Sequence, residues 1–125
     1  MFFSVVLPWP NPKLSPNARL HWRARVGPKA DAKRIAAWTT VAAKGFHQAR
    51  EALKGDARIP VRITFYPPDR RHRDADNMVA SAKALIDGVA DALSVNDRRF
   101  LPTFIFAEPE KPGRVVFWIG VCLNG

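Results

Sequence analysis

The chain holds one cysteine, Cys122, in 125 residues. A lone thiol builds no disulfide framework and no Cys-based zinc site, and in an apolar run it reads as inert core. Such usage fits a reducing, cytoplasmic compartment. Long apolar runs are missing too: nothing approaches the roughly 20 residues of a membrane-spanning helix. The opening MFFSVVLPWP is apolar, but it has no basic leader region and breaks at Pro8 and Pro10, so it reads as a strand rather than a signal peptide. His21, His47 and His72 show no metal-ligand spacing. Neither a Walker-type loop nor a dinucleotide fingerprint occurs, which argues against nucleotide-driven motors and redox enzymes. There is no internal repeat and no low-complexity tract.

Negative charge is the other scarcity, with 11 Asp plus Glu against 20 Lys plus Arg and a net charge of +9. On so small a chain that excess favours nucleic acid as partner, and less often an anionic membrane surface. The length suits one domain. At 47% hydrophobic and 10% aromatic, the composition supports a real core.

Residues 1–7 read as an apolar strand, and 8–28 as a proline-rich loop carrying NARLHWRAR. Pro28 suits the first position of a helix. Ile35, Trp38, Ala42, Phe46, Ala49 and Leu53 recur at spacings of three or four, predicting one long amphipathic helix ending near Gly55. ARIPVRITFYP reads as a strand closed by Pro67 and Pro68. A second helix is predicted over about 76–93, then strands near 102–108 and 114–123, with EPEKPGR as a polar turn joining them in a hairpin. The order β-α-β-α-β-β defines a single-domain α+β fold: a small mixed sheet with two helices packed on it.

The stretch RRHRDADNMVASAKALIDG, residues 70–88, concentrates the chemistry. Met78, Ala82, Leu85, Ile86, Val89 and Leu93 fall on one side of the second helix, and Asp76, Lys83 and Asp87 on another. Asp74 and Asp76 are two residues apart, so an extended approach points both carboxylates the same way, suiting a hard cation such as Mg²⁺. A plain helix N-cap at Asp76 or Asn77 is the competing reading, although it leaves Asp74 unexplained. Asp97, in the following loop, is either a turn residue or a third carboxylate folded back toward the pair. For Lys83 and Asp87 alone an ordinary solvated face is the favoured reading. Lys83 lies about 10 Å along the helix from Asp76, but helical side chains lean toward the N-terminus, which puts its ammonium within reach of the acids.

Cations flank these acids: Arg70, Arg71, His72 and Arg73 before them, and Arg98 and Arg99 after Asp97. Arrangements of this kind hold phosphates beside a metal. A further group, Lys13, Arg19, Arg23 and Arg25, surrounds Trp22, which either stacks on a base or packs into the core.

LPWPNP, the arginine- and aromatic-rich stretch after it, PPDRRHRDADN, KALIDGVADAL and the late ND together resemble the RusA family of Holliday junction resolvases, prophage-borne members included. The resemblance spans nearly the whole chain, and its most specific part is Arg73-Asp74-x-Asp76-Asn77 with a helical lysine and a late aspartate. It implies a homodimeric, nucleoid-associated endodeoxyribonuclease of DNA recombination and repair. Such enzymes bind four-way junctions and nick two strands symmetrically with Mg²⁺ or Mn²⁺. By motif position it implies Asp74, Asp76 and Asp97 as metal-binding acids, Lys83 as the essential lysine, and Arg73 in DNA binding. The chain departs from the pattern in two places: Lys83 stands six positions after Asn77, a phage-type spacing, and Asn96-Asp97 stands where two acids are common. A nuclease for other branched DNA and a non-catalytic nucleic-acid-binding module are the alternatives.

Overall fold

A computed structural model of the chain describes residues 2–14 and 22–120, without the side chains of Trp22, Arg23 and Arg25. The expectations placed on those three side chains, and on Arg19, His21 and Cys122, lie outside the described residues. Alternation in the first strand, β1 (Phe2–Pro8), buries Phe3, Val5 and Leu7 and leaves the residues between them exposed. Three more strands follow: β2 (Ile59–Tyr66), β3 (Phe100–Phe106) and β4 (Arg114–Gly120). They form one four-stranded sheet in the order β1-β4-β2-β3. β4 runs antiparallel to both β1 and β2, while β3 is parallel to β2. The helices are α1 (Trp22–Ala42), α2 (Phe46–Ala52), α3 (Ala75–Ser81) and α4 (Lys83–Ala92), with short 3-10 turns at Pro12–Leu14 and Asp97–Arg99. One core unites the inward residues of the strands, among them Phe65, Val115, Phe117 and Ile119, with Ala36, Phe46, Leu53, Leu85 and Val89 of the helices. The fold is α+β with a mixed sheet, as the pattern of elements predicts.

The predicted hairpin between the last two strands does not form. β4 inserts between β1 and β2, and β3 pairs only with β2, at the sheet's edge. The polar link after β3 is held across the end of β2, where Ala107 N–H donates to Phe65 O (2.9 Å) and Glu110 N–H to Pro67 O (2.7 Å). It thereby steps over β2 instead of turning back on β3. An edge position also suits Pro102, which has no N–H to give a second neighbour.

The first helix differs in start, length and face. It begins at Trp22, so Pro28 sits inside it; Ala24, whose carbonyl loses a donor, is exposed and open to solvent. Gly45, at φ 84°, adopts a left-handed conformation that ends the helical run and starts α2. Ile35 and Trp38, predicted to face the core, are 42% and 69% exposed. The inward positions are Ala36 and Thr40, both fully buried, with Ala32 and Ala43 packed beside them. Small residues belong there because α1 packs tightly on α4 at Gly88. A Cβ built on Gly88 would stand 2.3 Å from the Lys33 carbonyl oxygen and 2.7 Å from the Ala36 Cβ.

The second helix is interrupted at Ala82, whose N–H is shared between the carbonyls of Met78 (3.2 Å) and Val79 (3.1 Å). Its predicted apolar face holds: Ala82, Leu85, Val89 and Leu93 are buried, and Met78 and Ile86 pack against the core from half-buried positions. With that face fixed inward, the acids and Lys83 are turned to the surface.

Candidate active site

Asp74 is the N-cap of α3, in an extended conformation at φ −76° and ψ 135°. Its backbone carbonyl accepts from Met78 N–H at 3.1 Å, but its side chain makes no capping hydrogen bond. The cap is therefore neither Asp76 nor Asn77, and the Asp74 carboxylate is left for other partners. It meets His72 Nε2 at 3.2 Å and is 64% exposed. Asp76 lies in the first turn of α3, exposed and without a hydrogen-bond or ion-pair partner among the described residues. A carboxylate in a helix's first turn is favoured by the positive end of the helix dipole.

The loop before the acids is built by Asp69 and Arg73. Asp69 Oδ1 accepts from Arg71 N–H at 3.0 Å and pairs with Arg73 at 3.0 Å. Those interactions, led by the Arg71 N–H, hold the Asp69 carboxyl below the ordinary carboxylate range. Arg73 Nη1 also donates to the carbonyls of Asp69 (3.2 Å) and Arg71 (3.1 Å), and its guanidinium lies 5.5 Å from the centre of the Trp9 ring. Only 18% of that side chain is exposed. Arg73 thus shapes the loop instead of reaching outward. Arg70 makes a loose contact with Glu108 at 3.3 Å, both side chains being more than four-fifths exposed. Arg71 is exposed and has no side-chain ion pair among the described residues.

The other end of the site is the turn Asp97–Arg99. Asn96 caps it, its side chain accepting from Arg98 N–H at 2.9 Å. Asp97 is thereby available to fold back, but it reaches Lys83 and not the first two acids. Lys83 Nζ donates to Asp87 at 2.8 Å and to Asp97 at 2.5 Å. The ammonium points along α4 toward its C-terminal end, opposite to the predicted lean. Its hydrogen bonds to Asp87 and then Asp97 raise the Lys83 pKa, and the Lys83 hydrogen bond lowers that of Asp97. Arg99 faces inward, Nε donating to Ala57 O at 2.9 Å and Nη1 to Leu53 O at 2.8 Å, while Arg98 is exposed.

The predicted acids therefore fall into two groups: Asp74 with Asp76 at the start of α3, and Asp97 with Lys83 and Asp87 beside α4. Among the described residues, no three His, Cys, Asp or Glu side chains gather to hold a metal ion. Asp74 and Asp76 supply the hard oxygens that Mg²⁺ prefers, and Mg²⁺ commonly takes one or two carboxylates and keeps several waters. The donor chemistry of that pair suits the ion, although the extended run expected to aim both carboxylates alike stops at Asp74, since Asp76 already lies in the first turn of α3. Asp97 does not join the pair while bonded to Lys83.

Two features escaped the sequence reading. Asp87 shares Lys83 with Asp97, and the i, i+4 spacing from Lys83 was its available signal. An open groove of about 460 Å³ beside Asp74 is lined by Trp9, Asn11, Arg71, Asn77, Met78 and Ser81, among others. No local pattern joins Trp9 and Asn11 to α3, because tertiary packing brings them there.

Fold and site together define a small α+β domain with a surface aspartate pair set behind exposed arginines. No family model matches the chain. Over 117 residues, covering 93% of this chain and 74% of its counterpart, it is 42% identical to an uncharacterized protein of Xylella fastidiosa (strain Temecula1), and it belongs to that protein's family. Among the described residues no helix is long and apolar enough to cross a membrane.

Proposed function

We propose that this protein is a metal-dependent endodeoxyribonuclease that binds four-way DNA junctions and resolves them by paired nicks. The observation that carries the reading is the exposed pair Asp74 and Asp76, placed directly behind Arg70 and Arg71. The resemblance of the same block to the RusA family supplies the substrate class. Mg²⁺, or Mn²⁺ in its place, would be held by Asp74 and Asp76 and would supply Lewis acidity and an activated water. Asp97 takes part in holding the ion only if its bond to Lys83 opens, and the freed ammonium is then available to neutralise charge at the phosphate. Arg70, Arg71 and Arg98 gather the DNA backbone. The loop-shaping Arg73 and the inward Arg99 act by holding the site's two flanking turns. A homodimer would present two such sites to a substrate with matching two-fold symmetry.

Asp76→Asn is the decisive variant. Junction binding should persist or tighten, because a negative charge near phosphate is removed, while cleavage is abolished. Junction resolution by this variant at the wild-type rate would overturn the reading. One observation favours a second reading, a non-catalytic nucleic-acid-binding module: the three acids are not gathered. Incubating four-way junction or linear duplex with Mg²⁺ or EDTA separates the two. Paired nicks that require junction and metal support the nuclease; metal-independent binding without nicks supports the module; nicking of flaps or other branches supports a broader nuclease.

A further inference from the structure

We propose that the groove beside Asp74 takes an unstacked nucleobase of the bound strand and that Asn77 reads its edge; this rests on the nuclease reading above. Asp74, Asn77, Met78 and Ser81 stand at i, i+3, i+4 and i+7, so one face of α3 forms a wall of the groove. The wall therefore begins at a proposed metal-binding acid. A base is one sugar removed from its phosphate, so a phosphate held by Arg70 and Arg71 beside Asp74 brings its own base, or its neighbour's, to this groove.

The lining suits a flat, neutral, edge-polar ligand. Trp9, Pro10 and Met78 supply apolar surface. Trp9 is fixed in place by an edge contact with Phe65, at 6.2 Å between ring centres, and by the Arg73 guanidinium. Two polar groups of the lining are already engaged: Asn11 Oδ1 accepts from Lys13 N–H, and Ser81 Oγ donates to Asn77 O. The Asn77 carboxamide has no hydrogen-bond partner among the described residues, so it offers a donor and an acceptor side by side, the pattern that pairs with two atoms of a base edge. The charged part of the lining is Arg71, His72, Arg73 and Asp74. Arg73 is paired with Asp69 and Asp74 meets His72, which leaves Arg71 to hold the phosphate of the nucleotide whose base enters the groove. Unstacked bases held on apolar side chains and read along their edges are how single-stranded and distorted nucleic acids gain sequence selectivity.

The test places 2-aminopurine at each position around the crossover of a four-way junction and reads its fluorescence on binding in EDTA, so no cleavage is needed. A rise of several-fold at one position, lost in Asn77→Ala, supports the groove. With Mg²⁺, the ratio of cleavage rates between best and worst crossover sequences should shrink about tenfold in Asn77→Ala, the low end of what one bidentate base contact discriminates. Asn77→Asp, which keeps only acceptors, should change which base is preferred. Bound junctions with no responsive position, or an unchanged rate ratio in Asn77→Ala, would overturn the proposal while leaving the nuclease reading intact. A responsive position in junctions that are never cut would uphold the groove and remove the nuclease. Failure to bind junctions at all would remove both.

Discussion

Lys83 is the residue on which sequence and structure part most informatively. Helix geometry alone leans its side chain toward Asp76, but the carboxylates of Asp87 and Asp97 lie on the other side and draw the ammonium to them. The sequence left Asp97 open between a turn residue and a carboxylate folded back to the first two acids. It lies in a turn and reaches Lys83 instead, because a loop's path depends on contacts from distant segments. The pair has a defined pH window. Asp97 is held below its ordinary 3.8, so its contribution to stability is present above that value and lost as pH falls through the lowered one. Lys83 is raised above its ordinary 10.5, so its contribution is present below that value and lost as pH climbs through the raised one. Both side chains are at least a third exposed, so the effect on overall stability is small. The titration itself is the sharper readout. In Lys83→Met the Asp97 carboxyl should titrate higher than in the wild type, as followed by carboxyl carbon chemical shift. An unchanged Asp97 titration would show that the two are not bonded in solution.

At the scale of elements, α4 carried the clearest signal, because Leu85, Ile86 and Val89 recur at helical spacing and all three pack inward. α1 carried a misleading one. Its large apolar residues Ile35 and Trp38 face outward, and the packed stripe is small because Gly88 lets two helix backbones approach closely. Periodicity counts large side chains and so misses a contact that depends on their absence. Gly88→Ala tests this. Within a helix, Gly to Ala normally stabilises by roughly 0.5–1 kcal/mol. Here the new methyl would meet the Lys33 carbonyl, part of the backbone, which cannot step aside as a side-chain tip can. Overpacking of this kind costs about 1–3 kcal/mol, so the net change should be destabilising in urea unfolding. A stabilised Gly88→Ala would mean that α1 and α4 sit farther apart. The misread hairpin has a related cause. Two apolar runs joined by a polar link are a local pattern, but the place of β4 between β1 and β2 is decided by strands far away in sequence.

For the molecule as a whole, net charge pointed to a polyanionic partner without saying which cations face it. Sequence assigned Arg70, Arg71, Arg73, Arg98 and Arg99 to one task, and the structure divides them. Arg70, Arg71 and Arg98 are exposed, while Arg73 and Arg99 bond to backbone carbonyls. Local sequence could not make that division, because the carbonyls that engage Arg99 are more than 40 residues away. The two kinds of arginine should fail differently. Replacing Arg70 and Arg71 by alanine should weaken DNA binding and flatten its salt dependence by roughly one unit of slope per lost phosphate contact, with little change in unfolding. Arg99→Ala removes the donors to Ala57 O and Leu53 O. Leaving such groups without partners costs about 1–3 kcal/mol where water does not replace the donor, so stability should fall while the salt slope stays near the wild-type value. Binding isotherms at several salt concentrations, set beside urea unfolding of the same variants, read both quantities. If Arg99→Ala lowered the slope as much as Arg70→Ala with Arg71→Ala, the inward arginine would be contacting phosphate, and the division drawn from the backbone carbonyls would fail.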